Sequence, residues 1–205
     1  MNQETASTPY KSNYTIGIIF TVLTLLYLVS NALTIILPGL ACIGGIASLA
    51  SGILFLVWLY RSCKNLEAFN TQGAKYSPGL AVGSWFIPVV NFALPFLIIM
   101  QLWKASDPDA STVGWKQSKN GMVVILWWAS FFIFLILSIV GMGAAFATGF
   151  EAGMSGIEPD MNAFAMSASI PSIIGMALYS ILQISVVVLM NDRQDEKAEN
   201  LGLLQ

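Results

Sequence analysis

The chain contains no histidine among its 205 residues, and only 10% of them carry charge: nine Lys and Arg against eleven Asp and Glu. The missing imidazole removes the commonest general base and metal ligand. The scarcity of charge excludes an ordinary soluble domain, in which about a quarter of residues are charged. A net charge of −2 leaves no basic face of the kind that neutralises nucleic-acid phosphates, so nucleic acid is not an expected partner. There are only two cysteines, Cys42 and Cys63. On one helix they stand roughly 30 Å apart, far beyond the ~7 Å that a disulfide tolerates.

Motifs for chemistry are also missing. The chain has no phosphate-binding loop, no glycine-rich dinucleotide turn, no cysteine pair at metal spacing and no base to partner a serine. The expectation is therefore a non-enzymatic protein without metal or cofactor. Methionines 154, 161 and 166 lie among the acids Glu151, Glu158 and Asp160, and thioethers bind copper(I). Their irregular spacing reads more simply as a solvated loop.

What the chain has in abundance is apolar surface, with 56% hydrophobic residues and a mean hydropathy of +0.73. Four runs, Tyr14–Leu37, Leu40–Tyr60, Gly121–Gly149 and Ala168–Met190, are long enough to cross a ~30 Å hydrocarbon core as helices. Pro38 and Gly39 separate the first two so closely that a helical hairpin is expected. The run at the N-terminus is too long for a signal h-region and reads as an uncleaved span. "LPGLAC" around Cys42 has Gly39 where a lipoprotein box needs a branched aliphatic residue, so it is not read as one.

A fifth apolar stretch, Leu80–Leu102, is interrupted by Pro88, Asn91 and Pro95. Each proline removes a backbone donor and disfavours helix in the residue before it. If this stretch does not cross, all nine basic residues fall on the cytoplasmic side. If it crosses, they split four and five. The positive-inside rule therefore predicts four spans with a re-entrant or interfacial fifth segment. The expected fold is an all-α integral membrane protein with a cytoplasmic tail over 1–13, one membrane domain over 14–190 and a second cytoplasmic tail over 191–205. No span interior holds a charge, which weighs against coupled transport.

Trp58 and Tyr60 close the second span, and Arg61, Lys64 and Asn65 follow at once. Aromatic rings favour the headgroup level and bases meet anionic headgroups there, so membrane lipids are expected partners at the cytoplasmic face. Arg61 is expected to hold a lipid phosphate or the Asn91 loop, unless it is only a topogenic anchor. Small residues Gly44, Ser48 and Gly52, with Ala41 and Gly45 beside them, and then Gly141, Ala145 and Gly149, permit close helix packing. They serve either the bundle or contact with a second copy or another membrane protein. Thr21, Thr24, Asn31 and Thr34 are expected to bond across to a neighbouring helix.

Pro88 and Pro95 are expected to leave upstream carbonyls without helical donors, and Asn91 carries an amide able to satisfy one. This makes Trp85–Pro95 the place to look for a site, and gives an alternative function: a small passive channel or transporter. The strings "WLYRSCKNLEAF", "YSPGLAVGSWFIPVVNFALPF" and "LWKASDP" carry a further signal. Their order, with Trp58, Arg61, Asn65, Trp85, Pro88, Asn91, Pro95 and Trp103 in place, resembles the bacterial membrane family called domain of unknown function 4328. Leu94 and Gln101 depart from that pattern, standing where the family often has a base and an acid. The resemblance implies a bacterial inner-membrane protein with the four-span fold and the broken segment. It implies no activity.

Overall fold

The computed structural model describes residues 8–34, 36–156 and 161–204, with side chains from residue 169 onward, and that of Met166, in the last helix. Glu158, Asp160 and the side chain of Met161 lie outside the described residues; Met154, Met161 and Met166, expected in a solvated loop, stand instead in the ends of two long helices. Among the described residues the secondary structure is entirely helical. Four helices are long and apolar enough to cross a membrane: α1 (Tyr14–Leu33), α2 (Leu40–Ala68), α5 (Met122–Ser155) and α6 (Met161–Asn200). Two shorter helices, α3 (Pro78–Gly83) and α4 (Leu94–Ala105), lie between α2 and α5.

The helix ends follow local chemistry. After α2, Asn70 takes a positive φ of 50°, and the N–H groups of Asn70 and Thr71 return to the carbonyls of Glu67 and Leu66. Gly202 ends α6 in the same way, with φ of 67° and Leu203 bonded back to Ala198. Both satisfy carbonyls that a helix end leaves open, with residues that tolerate the left-handed region. Ser77 caps α3 by accepting from the Leu80 N–H at 3.2 Å, and Pro78 occupies the first turn, where its missing donor costs nothing.

The fifth apolar stretch is broken as expected. Two short 3₁₀ turns, Ser84–Phe86 and Val90–Phe92, flank Pro88. Pro95, however, does not break a helix. It stands in the first turn of α4 and helps to start it. With twelve residues, α4 is about 18 Å long, too short to span. Its buried apolar residues, Pro95, Ile98, Ile99, Leu102 and Ala105, recur at helical spacing on one face, with Gln101 buried beside them.

Two compact units divide the chain. The first comprises residues 1–20, 52–125 and 185–205, and the second residues 21–51 and 126–184. Each long helix contributes to both. All nine basic residues belong to the first unit and none to the second, whose three acids are Glu151, Glu158 and Asp160.

The second unit is held by close backbone approach. A Cβ on Gly175 of α6 would come within 2.9 Å of the Phe134 Cα of α5. A Cβ on Gly44 would meet the Asn31 amide at 2.9 Å and Ser30 Cβ at 3.3 Å. The packed small residues of α2 in this unit are Gly44, Ala47 and Ser51, whereas Gly45 has open space around it, as does Gly52 in the first unit. The stripe thus lies partly round the helix from the one the four-residue spacing predicts. On α5, Ala145 and Gly141 are buried and Gly149 is exposed. Thr24 shares a hydrogen bond of 2.7 Å with Ser51 on the neighbouring helix, as expected. Asn31 and Thr34 instead bond carbonyls of their own segment, those of Tyr27 and Asn31.

Outward faces are apolar in both units. Ile46, Leu49, Ile53, Ile139 and Phe146 are each more than 60% exposed. Such faces are stable against hydrocarbon and costly against water.

Candidate functional site

In the first unit, the C-terminal turns of α2 and α6 carry polar side chains on faces that the apolar stripe would otherwise continue. Asn65 lies on α2, and Asn191, Gln194 and Lys197 lie on α6. All four are at least 96% buried. A buried polar group costs several kcal/mol unless paired, roughly 2–7 by transfer measurements, so their partners decide the local structure.

The pairing is extensive. The Asn65 Nδ2 donates to the Gln194 Oε1 and to the Lys11 carbonyl, both at 3.0 Å. Its Oδ1 accepts from the Lys11 N–H at 3.2 Å. One amide therefore clamps both sides of residue 11. The Gln194 Nε2 donates to the Ser62 carbonyl and the Ser106 hydroxyl, at 3.0 and 3.1 Å. Asn13 donates to the Ser62 hydroxyl at 2.8 Å, and the Trp58 indole N–H donates to the Asn191 Oδ1 at 2.7 Å. Beside this lattice, the Lys197 ammonium donates to the carbonyls of Ala105, Asp107 and Ala110 at 2.9–3.1 Å. It thereby serves the last carbonyl of α4 and two in the turn that follows.

Residues Thr8–Asn13 form a strap over these helix ends. Tyr10 stacks on Phe69 at 5.5 Å between ring centres and donates its hydroxyl to Asp195. Burial, and then the Asp195 carboxylate, push its phenol well above the ordinary tyrosine range, so it remains a donor. Ser12 also donates to Asp195, at 3.2 Å.

Between the strap and α2 is a groove of about 500 Å3 lined by Thr8, Pro9, Lys11, Tyr60, Arg61, Lys64 and Asn65. Arg61 is tethered by donating from Nη2 to the Ser12 carbonyl at 3.1 Å. Its enclosed Nε has no acceptor among the described residues. Its partner is the strap, then, and not the Asn91 loop, which was one of the two expectations for this side chain.

The other expected site residues are less closely gathered. Trp85 sits in the first 3₁₀ turn with its ring edge-on to Phe55, 5.4 Å between centres. Pro88 is exposed, and Asn91 is half-buried. The Ile87 carbonyl is met by the Asn91 main-chain N–H at 2.8 Å, so the amide is not needed for it. Pro95 is buried at the start of α4. Trp103 stacks with the Arg193 guanidinium 4.5 Å above its ring and also accepts from it through its carbonyl. Arg193 in turn pairs with Asp107 at 3.4 Å.

The structure therefore joins Arg61 and Asn65 through the strap and gives Trp103 a separate partner. Sequence reasoning missed Asn13, Asn191, Gln194 and Lys197. The available signal was spacing: Val187, Met190, Asn191, Gln194 and Ala198 continue one helical face past the end of the apolar run. No group of three or more potential metal ligands occurs among the described residues.

The model of a protein family described as domain of unknown function (DUF4328) matches residues 16–190. The chain belongs to the DUF4328 family. No curated protein and no solved structure matches it. Within this DUF4328 protein, the matched stretch includes Trp58, Arg61, Asn65 and the broken segment, and it ends immediately before Asn191.

Proposed function

We propose that this DUF4328 protein is a non-enzymatic interaction or membrane-organising protein of the bacterial inner membrane. Its N- and C-terminal segments and the loops around Lys75 and Lys116 face the cytoplasm. Anionic lipid headgroups are its partners there, with a second copy or another membrane protein against its apolar faces.

The observation that carries this reading is the gathering of every Lys and Arg into the unit that also holds the strap and the end of α6. Bases on that side of a bilayer are favoured by the positive-inside rule and by the anionic cytoplasmic leaflet. A secondary support is the use of the buried amides. They bond to one another and to main chain, which builds a rigid platform and leaves no acid–base pair among them.

The alternative of a passive pore at 85–95 would need polar groups turned to water. Phe86 is 70% and Val89 85% exposed, which favours contact with lipid. Proteoliposomes carrying the purified chain should hold entrapped small ions and dyes as tightly as protein-free vesicles. Protein-dependent leakage would replace this reading with the channel.

A further inference from the structure

We infer that the groove between the strap and the end of α2 is a binding site for a phosphate group, with Arg61, Lys64 and Lys11 as its cationic ligands. The chemistry of the donors points there. Among the described residues, none of the three forms an ion pair, and the nearby carboxylates of Asp195 and Glu67 are held by the hydroxyls of Tyr10, Ser12 and Thr8. Three basic side chains that line one groove without an ion pair favour an anion there.

Arg61 is already oriented for such a ligand. Its Nη2 is fixed on the Ser12 carbonyl, which holds the guanidinium at the groove wall, while its Nε is enclosed by protein and turned from any ligand. The terminal Nη groups of a guanidinium present hydrogens in a planar fork, and a tetrahedral phosphate offers several oxygens to them and to ammonium groups alongside. Asn65 is a positioning residue here, since its two bonds to the main chain of Lys11 hold that residue at the groove wall.

The volume of about 500 Å3 leaves room beside a phosphate for a further group attached to it. Tyr60, 42% exposed, lines the groove on the side toward the apolar length of α2, which offers a path for an acyl chain. Phosphate of this kind comes from a lipid headgroup or from a soluble phosphate ester. The inference rests on the lipid-contact reading above, but its test does not depend on topology or on the absence of a pore.

The full chain is placed in phosphatidylcholine nanodiscs, whose two faces are both open, and binding is measured in two arms. In one, phosphatidylglycerol is doped in and its retention is read by native mass spectrometry. In the other, glycerol 3-phosphate is titrated from solution. A lipid site retains phosphatidylglycerol in preference to phosphatidylcholine and ignores glycerol 3-phosphate. A site for a soluble ester does the reverse.

In whichever arm binds, Arg61→Lys should weaken it by about tenfold, because the fork is lost while the charge stays. Lys64→Gln should weaken it by about threefold. Lys64 is exposed, so this second variant keeps its fold even if changing Arg61 loosens the strap. Binding in neither arm, or wild-type binding in Lys64→Gln together with every folded Arg61 variant, overturns the inference.

Discussion

The indole N–H of Trp58 on α2 donates to the side-chain oxygen of Asn191 on α6 at 2.7 Å, and both residues are buried. The same Asn191 donates to the Asn13 carbonyl at 3.3 Å, so one amide links α2, α6 and the strap. Trp58→Phe keeps an aromatic ring, though a smaller one, but strands the Asn191 oxygen. It should cost about 1–3 kcal/mol and lower the melting temperature in detergent–lipid micelles. An unchanged melting temperature would show that the bond contributes nothing.

Asn65 and Gln194 are expected to act as a pair. They bond at 3.0 Å, and each also holds main chain of another segment. A double-mutant cycle with Asn65→Leu and Gln194→Leu should give a coupling of about 0.5–3 kcal/mol. Additive losses would mean that the two amides serve separate partners only.

Lys197 makes a prediction local to α4. Lys197→Met keeps much of the aliphatic stem beside Phe69 but removes the donors to Ala105, Asp107 and Ala110. Amide hydrogen exchange should rise over residues 105–110, while the interior of α5 stays protected. Unchanged exchange at 105–110 would contradict the capping role.

Gly175 tests packing in the second unit. Its missing Cβ admits the Phe134 backbone, so Gly175→Ala should destabilise by about 1–3 kcal/mol through overpacking. Gly143→Ala, with open space around the added carbon, serves as the control and should not destabilise. Equal effects of the two changes on thermal stability would count against the close α5–α6 approach.

How far the sequence speaks differs between these elements. Apolar length alone located the cores of α1, α2, α5 and α6, because hydrocarbon thickness sets a minimum that few soluble helices meet. The break around Pro88 was equally legible. Pro95 was misread because proline disrupts the middle of a helix but suits its first turn, and sequence does not say where the turn begins.

Residues from Asn191 onward read as a tail because hydropathy collapses there. They continue α6 since Asn191, Gln194 and Lys197 find buried partners on other segments, and long-range pairing leaves no local trace. The strap was hidden for the same reason: Lys11 and Asn13 are held by Asn65 and Ser62, about fifty positions away.

The central claim is that the basic unit faces the cytoplasm and that the broken segment does not cross. Single cysteines at Ser111 and at Ser155, placed in a chain with Cys42 and Cys63 replaced by serine, test it through labelling of intact cells with a membrane-impermeant maleimide. Cysteine at 155 should label from outside, and cysteine at 111 only after the membrane is permeabilised. Labelling of position 111 in intact cells would contradict this claim, either because the broken segment crosses or because the basic unit faces outward.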